Sequence, residues 1–496
     1  MRLLPALVAV GGTASFAAAQ RVVSMGIGKT KRLPPLHKRA DPILQELHNN
    51  VTGGGYYAEV SVGTPPQTVS LILDTGSSDV WVLDSNANLC TSSRMQEENG
   101  GGCIATFNPS ESSTYTALSD TPFQIAYLDG SGANGTYFQD HINIGGTEIQ
   151  SLQMGLAEES TINSGLLGIG YSANVATRDQ YPNIIDTLEA QGLVTIKAYS
   201  LWLNAYSADM GTILFGGVDT EKFVDELIAV PVLPDSQTGI YHSFTVTLSS
   251  LILNYTDGST ETIIQQPVPV ILDSGTTLTY LPPRMTYNIY SALGAVDDTS
   301  YTGLVYVDCE YLRNESGLTF DFQFGGRGGP LVRVPVNEVV LDNVREYIEL
   351  GLPIPPGMPF ADDVCSLGIH PGDQGIYLLG DTFLRSAYVV YDLEHHEVAI
   401  AQANINSSRS NVLEITREGI PEVSGVASQV TAEQTATGLP GPGGNLPTVT
   451  VTASPNPNND ENAGPKTLTT PPTWEVAAIA AVAGLSGLMG VGLFVL

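Results

Sequence analysis

Apolar residues along this 496-residue chain come in short runs rather than in long helical stripes. Stretches rich in Val, Ile, Thr and Tyr, such as Val69 to Leu73 and Val268 to Leu272, are bounded by Gly, Asn, Asp and Ser, which is the pattern of β-strands separated by turns. Periodicity near 3.6 residues is scarce, and it predicts short helices over Pro182 to Gln191 and Pro283 to Leu293. The expected fold class is therefore all-β. A chain this long exceeds one ordinary domain.

One internal echo organises the chain. Val69-Ser-Leu-Ile-Leu-Asp74-Thr-Gly-Ser-Ser returns as Val268-Pro-Val-Ile-Leu-Asp273-Ser-Gly-Thr-Thr, so each copy is an apolar strand running into Asp-Thr/Ser-Gly. A second pair, Gly165-Leu-Leu-Gly168 and Tyr377-Leu-Leu-Gly380, recurs at nearly the same offset: 212 residues against 199. Two similar lobes follow. The structured body is placed at residues 56 to about 404, divided into 40–230 and 231–404.

The ends have different compositions. Residues 1–19 carry Arg2, an apolar run and Ala17-Ala18-Ala19, the build of a secretory signal peptide. Residues 20–39 form a basic leader that ends in Lys38-Arg39, read as a propeptide cut by a dibasic-specific processing protease, with positive charges suited to covering an acidic cleft. From 405 to 475 Ser, Thr, Pro, Gly and Asn dominate, which predicts a disordered stalk. Residues 476–496 are apolar and no Lys or Arg follows. With the small residues Asn462-Ala463-Gly464 and a polar spacer, this tail matches a GPI-attachment signal, the rival being a retained span. The expected location is the outer face of the plasma membrane or the cell wall.

Four cysteines in an oxidising compartment suggest two disulfides. Of three pairings, Cys90 with Cys103 and Cys309 with Cys365 is favoured because each closes a local loop. No Cys-x-x-Cys spacing supports zinc, and the lone His395-His396 pair has no matching ligands. Sequons at Asn50, Asn134, Asn254, Asn314 and Asn406 predict exposed, glycosylated segments. A formal net charge of −31 excludes a nucleic-acid partner, since phosphate contacts need clustered cations. It fits a protein working in acid, where protonated carboxyls no longer repel one another. Acidity that only aids solubility fits it as well.

The chemistry is carried by the Asp pair. A carboxylate at the end of a buried strand, held by a tight Gly turn, can face its twin from the other lobe. Two carboxylates that close retain one proton over an acidic range, so one serves as base and the other as acid. Such a pair can activate a water against a peptide carbonyl with no cofactor, metal or covalent nucleophile. No Gly-x-Ser-x-Gly or Cys-plus-His context supports a nucleophilic hydrolase.

In these motifs the whole body resembles the pepsin-like aspartic proteases, and Gly63-Thr-Pro-Pro-Gln67 matches as well. The resemblance implies a bilobal fold with the cleft between two six-stranded, barrel-like lobes. It makes Asp74 and Asp273 the catalytic dyad, supported by Thr75, Gly76, Ser77, Ser274, Gly275 and Thr276. It also implies that the Gly168 and Gly380 echoes thread beneath the Asp loops. A β-hairpin flap with Tyr127 and Gly130 is implied over the cleft, with Trp81 as the partner of the Tyr hydroxyl.

A disulfide-closed acidic insertion from Asp84 to Thr106, the dibasic site and the GPI-like tail together resemble the fungal yapsin subgroup, which favours basic residues. Asp129, Glu97, Glu98 and Asp79 are the candidate acidic groups for attracting a substrate Lys or Arg. The implied protein is a monomer that acts on polypeptides. The alternative is a catalytically silent cell-surface binding protein on the same scaffold; intact motifs argue against it.

Overall fold

A computed structural model describes residues 23–29, 55–98, 101–208, 210–264, 266–313, 317–344, 357–360, 363–373 and 375–427. The signal peptide, Lys38-Arg39, Asn50, Asn314, the Asn462-Ala463-Gly464 triplet and the tail 476–496 lie outside them.

Side-chain alternation sets the first sheet. In the strand Tyr56–Val62 the Glu59 side chain points to solvent while Tyr56, Ala58, Val60 and Val62 enter the core. It pairs antiparallel with Gln67–Asp74, whose last four residues are all buried. A strand apolar on both faces needs neighbours on both sides. Here Leu71–Asp74 lies parallel to Gly165–Gly168, and Val80–Leu83 closes on the far side of that segment. The second copy repeats the arrangement: Val268–Leu272 runs parallel to Leu378–Leu379, which in turn pairs antiparallel with Thr279–Leu281. The echo in sequence is thus an echo in space.

Among the described residues the strands form sheets of fourteen, eight, four and two members rather than two separate six-stranded barrels. The difference comes from the C-terminal part, whose strands Ala387–Asp392 and Glu397–Ala403 return to the large sheet. There they pair with Ala198–Trp202 and Phe223–Pro231. All six residues of Ala387–Asp392 are buried, so an interior position is what their composition requires. The chain leaves the large sheet at Pro231 and enters the eight-stranded sheet at Thr245.

Both predicted helices form. Ile184–Ala190 is started by a capping box, in which Asn183 accepts from the backbone of Ile185 and Asp186 while the Asp186 side chain accepts from the Asn183 N–H. Pro283–Leu293 opens on a proline and stops at Gly294, whose φ of +63° favours glycine. Both expected disulfides are present, Cys90 to Cys103 and Cys309 to Cys365. The first closes the acidic insertion, whose two short helices, Asn88–Thr91 and Ser93–Glu98, are pinned by buried Leu89.

The ordered body is longer than 56–404 at both ends. Val23–Lys29, in the basic leader, is a strand between Met210–Phe215 and Tyr56–Val62, with Val23 and Met25 in the core. At the other end, Val412–Glu414 pairs with Gly217–Asp219 and Val423–Val426 runs parallel beside Phe223–Pro231. Ile415 and Ala427 are buried there, so the predicted stalk cannot begin before residue 428.

Candidate active site

Each Asp loop is built by its own strand and clamped to the other. Thr75 Oγ1 donates to the Leu272 carbonyl (3.0 Å), and the Ser274 N–H donates back to Thr75 Oγ1 (2.9 Å). Reciprocally, Ser274 Oγ donates to the Leu73 carbonyl (3.0 Å), and the Thr75 N–H to Ser274 Oγ (3.2 Å). Four buried hydrogen bonds between residues about 200 positions apart fix the two loops face to face, and each lost one leaves a dry polar atom. Glycine is obligatory at the contact, because a Cβ on Gly275 would collide with Asp74 and one on Gly76 would sit 2.7 Å from Asp273 Oδ1.

Asp74 and Asp273 are both fully buried, and each carboxyl lies against the glycine of the opposite loop. Asp74 Oδ1 accepts from the N–H groups of Gly76 (2.8 Å) and Ser77 (3.2 Å), and Oδ2 accepts from Ser77 Oγ. Asp273 Oδ1 accepts from the Gly275 N–H (2.8 Å) and Oδ2 from Thr276 Oγ1 (2.5 Å). Burial, and then the charge of Asp273, hold the Asp74 carboxyl well above the ordinary range. Burial also raises Asp273, against the pull of Thr276 and Gly275. A pair so placed keeps one proton into mildly acidic solution.

The Gly echoes lie under the loops. A Cβ on Gly168 would come within 2.5 Å of the Asp79 carbonyl, and one on Gly380 would strike the Thr276 carbonyl. The expected flap residues lie at the turn of the antiparallel hairpin Thr116–Ala126 with Gly132–Ile144. Tyr127 opens its turn, bonded through its N–H to Ser131 (2.9 Å), and Gly130 takes a φ of +82°. Trp81 Nε1 donates to the Tyr127 hydroxyl at 2.9 Å.

A family model described as eukaryotic aspartyl protease matches residues 55–403. The chain belongs to the eukaryotic aspartyl proteases. Among curated relatives of this protease are probable aspartic-type endopeptidases named OPSB. That of Arthroderma benhamiae is 40% identical over 441 residues, covering 85% of each chain. That of Aspergillus oryzae is 36% identical, covering 93% of this chain and 94% of its own. Secreted aspartic protease 4 of Candida albicans is 34% identical over 75% of this chain and 82% of its own. The fold is shared with the crystal structure of the aspartic proteinase from Irpex lacteus at TM-score 0.56 and 20% identity, covering 79% of this chain and all of that one. The protein is an aspartic-type endopeptidase.

Other expected residues of the protease divide. Asp129 keeps solvent contact at the flap turn, although crowding raises its carboxyl, and Glu97 is exposed on the insertion. Asp79 does not face the cleft. It is fully buried and accepts from the hydroxyls of Tyr137 (2.7 Å) and Tyr181 (2.6 Å) and from the Ala176 N–H (2.7 Å), so both its oxygens are engaged by the protein and shut off from solvent. Asn134 and Asn406 are exposed, whereas Asn254 is half-buried and its amide donates to Thr319 Oγ1 (3.3 Å). His395 is tied to Asp392 (2.8 Å) and His396 stacks on Tyr241.

Sequence reasoning missed Glu338 and Arg385. Arg385 is fully buried, its Nε donating to Glu338 Oε2 (2.7 Å), and Glu338 accepts from the Tyr206 N–H (3.2 Å). Nothing in the local pattern marks a buried ion pair whose members stand 47 residues apart.

Proposed function

We propose that Asp74 and Asp273 are the catalytic dyad of this endopeptidase. The supporting observation is the buried carboxyl pair, each member held by its own glycine amide and hydroxyl. The ionised member takes a proton from a water lodged between them, the water attacks the scissile carbonyl, and the protonated member donates to the carbonyl oxygen. Thr75, Gly76, Ser77, Ser274, Gly275 and Thr276 keep the pair in register, and the flap with Tyr127 covers it. Raised carboxyls favour work in acid, because the pair loses its shared proton as pH rises. Hydrolysis of a mixed peptide library at about pH 4, lost with a statine-type inhibitor and with Asp74→Asn, tests this reading. A folded, processed body without activity would instead support the silent binding protein.

Asp129 at the flap turn supports a preference for basic substrate residues. Equal turnover of matched peptides with Leu or Lys before the scissile bond would refute it.

The signal-like start, the small-residue triplet and the apolar end support a secreted protease tethered by a GPI anchor. Among the described residues no helix is long and apolar enough to cross a membrane. Release from cells by a phosphatidylinositol-specific phospholipase tests the tether. Processing after Arg39 has a structural consequence. Losing Val23–Lys29 would strip two flanking strands of their partner and empty the places of Val23 and Met25, so departure of the leader must be coupled to refilling that slot. Native and denaturing mass measurements of the processed protein would show whether the strand stays bound.

A further inference from the structure

Two consecutive flap residues address opposite walls of the cleft. Tyr127 belongs to the first half: it accepts from Trp81 and packs in the cluster that contains Trp81, Phe123 and Tyr137. Leu128 packs against a different cluster, formed by Ile271, Leu278, Tyr280, Leu341 and Leu378 of the second half, with Ile376 at its edge. Trp81 and Tyr280 hold equivalent places, each seven residues beyond its aspartate. Their polar ends fare differently. The Trp81 N–H is bonded, while the Tyr280 hydroxyl is buried without a hydrogen-bond partner. Asp129 lies near enough for its charge to act on that phenol.

We propose that Leu128 is a specificity-determining residue: in the empty cleft it plugs the apolar pocket lined by Ile271, Leu278, Tyr280 and Leu378, and one substrate side chain must compete with it for that place. Leu128 is only half-buried and sits on a hairpin turn, so it can be lifted out with the flap. A small substrate side chain leaves the plug seated. A bulky apolar one has to expel it and recovers little apolar area in exchange, so the pocket disfavours bulk at a single subsite beside the scissile bond.

The inference rests on the reading that the cleft over Asp74 and Asp273 is the active one. Leu128→Gly and Leu128→Ala are to be compared with the parent on a positional peptide library. Expected is a gain of about tenfold in kcat/KM for Leu or Phe over Ala at one subsite, with the others unchanged and Leu128→Met like the parent. An unchanged profile, or a uniform loss across all positions, would overturn it. Binding to the Asp74→Asn protein, measured by calorimetry with two peptides differing only at that position, separates this proposal from the dyad assignment. Adding Leu128→Gly should tighten the bulky peptide about fivefold over the small one, and equal affinities would sink the plug whatever the chemistry of the dyad.

Discussion

At Asp74 the carboxylate accepts from Gly76 and Ser77; at Asp273 it accepts from Gly275 and Thr276, in the same geometry. Five residues farther on the two halves part. The first has Asp79, buried and ringed by Tyr137 and Tyr181, where the second has Leu278 in an apolar cluster. Seven residues on, the first has Trp81 bonded to the flap and the second has Tyr280 with an unpartnered hydroxyl. The repeat thus keeps the frame and the reacting groups and lets the ground beneath them diverge. Symmetry belongs to the chemistry, and asymmetry to how the substrate is met.

The largest effects should be the symmetrical ones. Asp74→Asn and Asp273→Asn should each lower kcat/KM by about a thousandfold, roughly 4 kcal/mol, at unchanged thermal stability within a few degrees. A loss confined to one of them would break the equivalence of the two loops. Gly168→Ala and Gly380→Ala come next. Each forces a methyl against backbone atoms, and each should cost about 3 kcal/mol by denaturant unfolding. A harmless substitution at either site would show that its loop is not held from below.

Trp81→Phe and Tyr280→Phe then separate the halves. The first deletes a hydrogen bond to the flap and should reduce kcat/KM about fivefold, near 1 kcal/mol. The second deletes a hydroxyl that bonds nothing and should change it less than twofold. Equal effects would contradict the division of the flap between two walls.

The frame was legible because it is written locally. Apolar runs ending in Asp-x-Gly are contiguous, and Asn183 with Asp186, or Pro283 with Gly294, mark helix ends within a few residues. What was missed depends on partners far along the chain. Val23–Lys29 carries two glycines in a basic leader, and its place is decided by Met210–Phe215. The segment 405–427 reads as polar stalk until Gly217–Asp219 and Phe223–Pro231 supply the strands it pairs with. Asp79 looks like a cleft charge because it follows Asp74 closely. Its tyrosines stand 58 and 102 residues away, and only the fold reveals that they consume it.

Asp79 also gives the smallest effect and the finest test of the asymmetry. Burial raises its carboxyl above the ordinary range although three donors pull the other way. A raised acid favours the fold most at low pH, where folded and unfolded chains are both protonated. As pH climbs past the ordinary carboxyl range the unfolded chain releases the proton while the folded one holds it. Stability therefore falls until the pH passes the raised value and is level thereafter. The slope is at most about 1.4 kcal/mol per pH unit for one group. Asp79→Asn removes this group's share and leaves those of Asp74, Asp129, Asp273 and Glu397, which point the same way. Unfolding measured from acid to neutral should accordingly show a shallower decline in the variant, with a loss of about 1 kcal/mol at low pH because an amide cannot accept at every site that the carboxyl does. Leu278→Asn offers the contrast: nothing titrates there, so the decline should keep its slope while the whole curve drops. Parallel curves for Asp79→Asn and its parent would mean that the buried carboxyl stays in one protonation state throughout, and that the first half is polar without being responsive to acid.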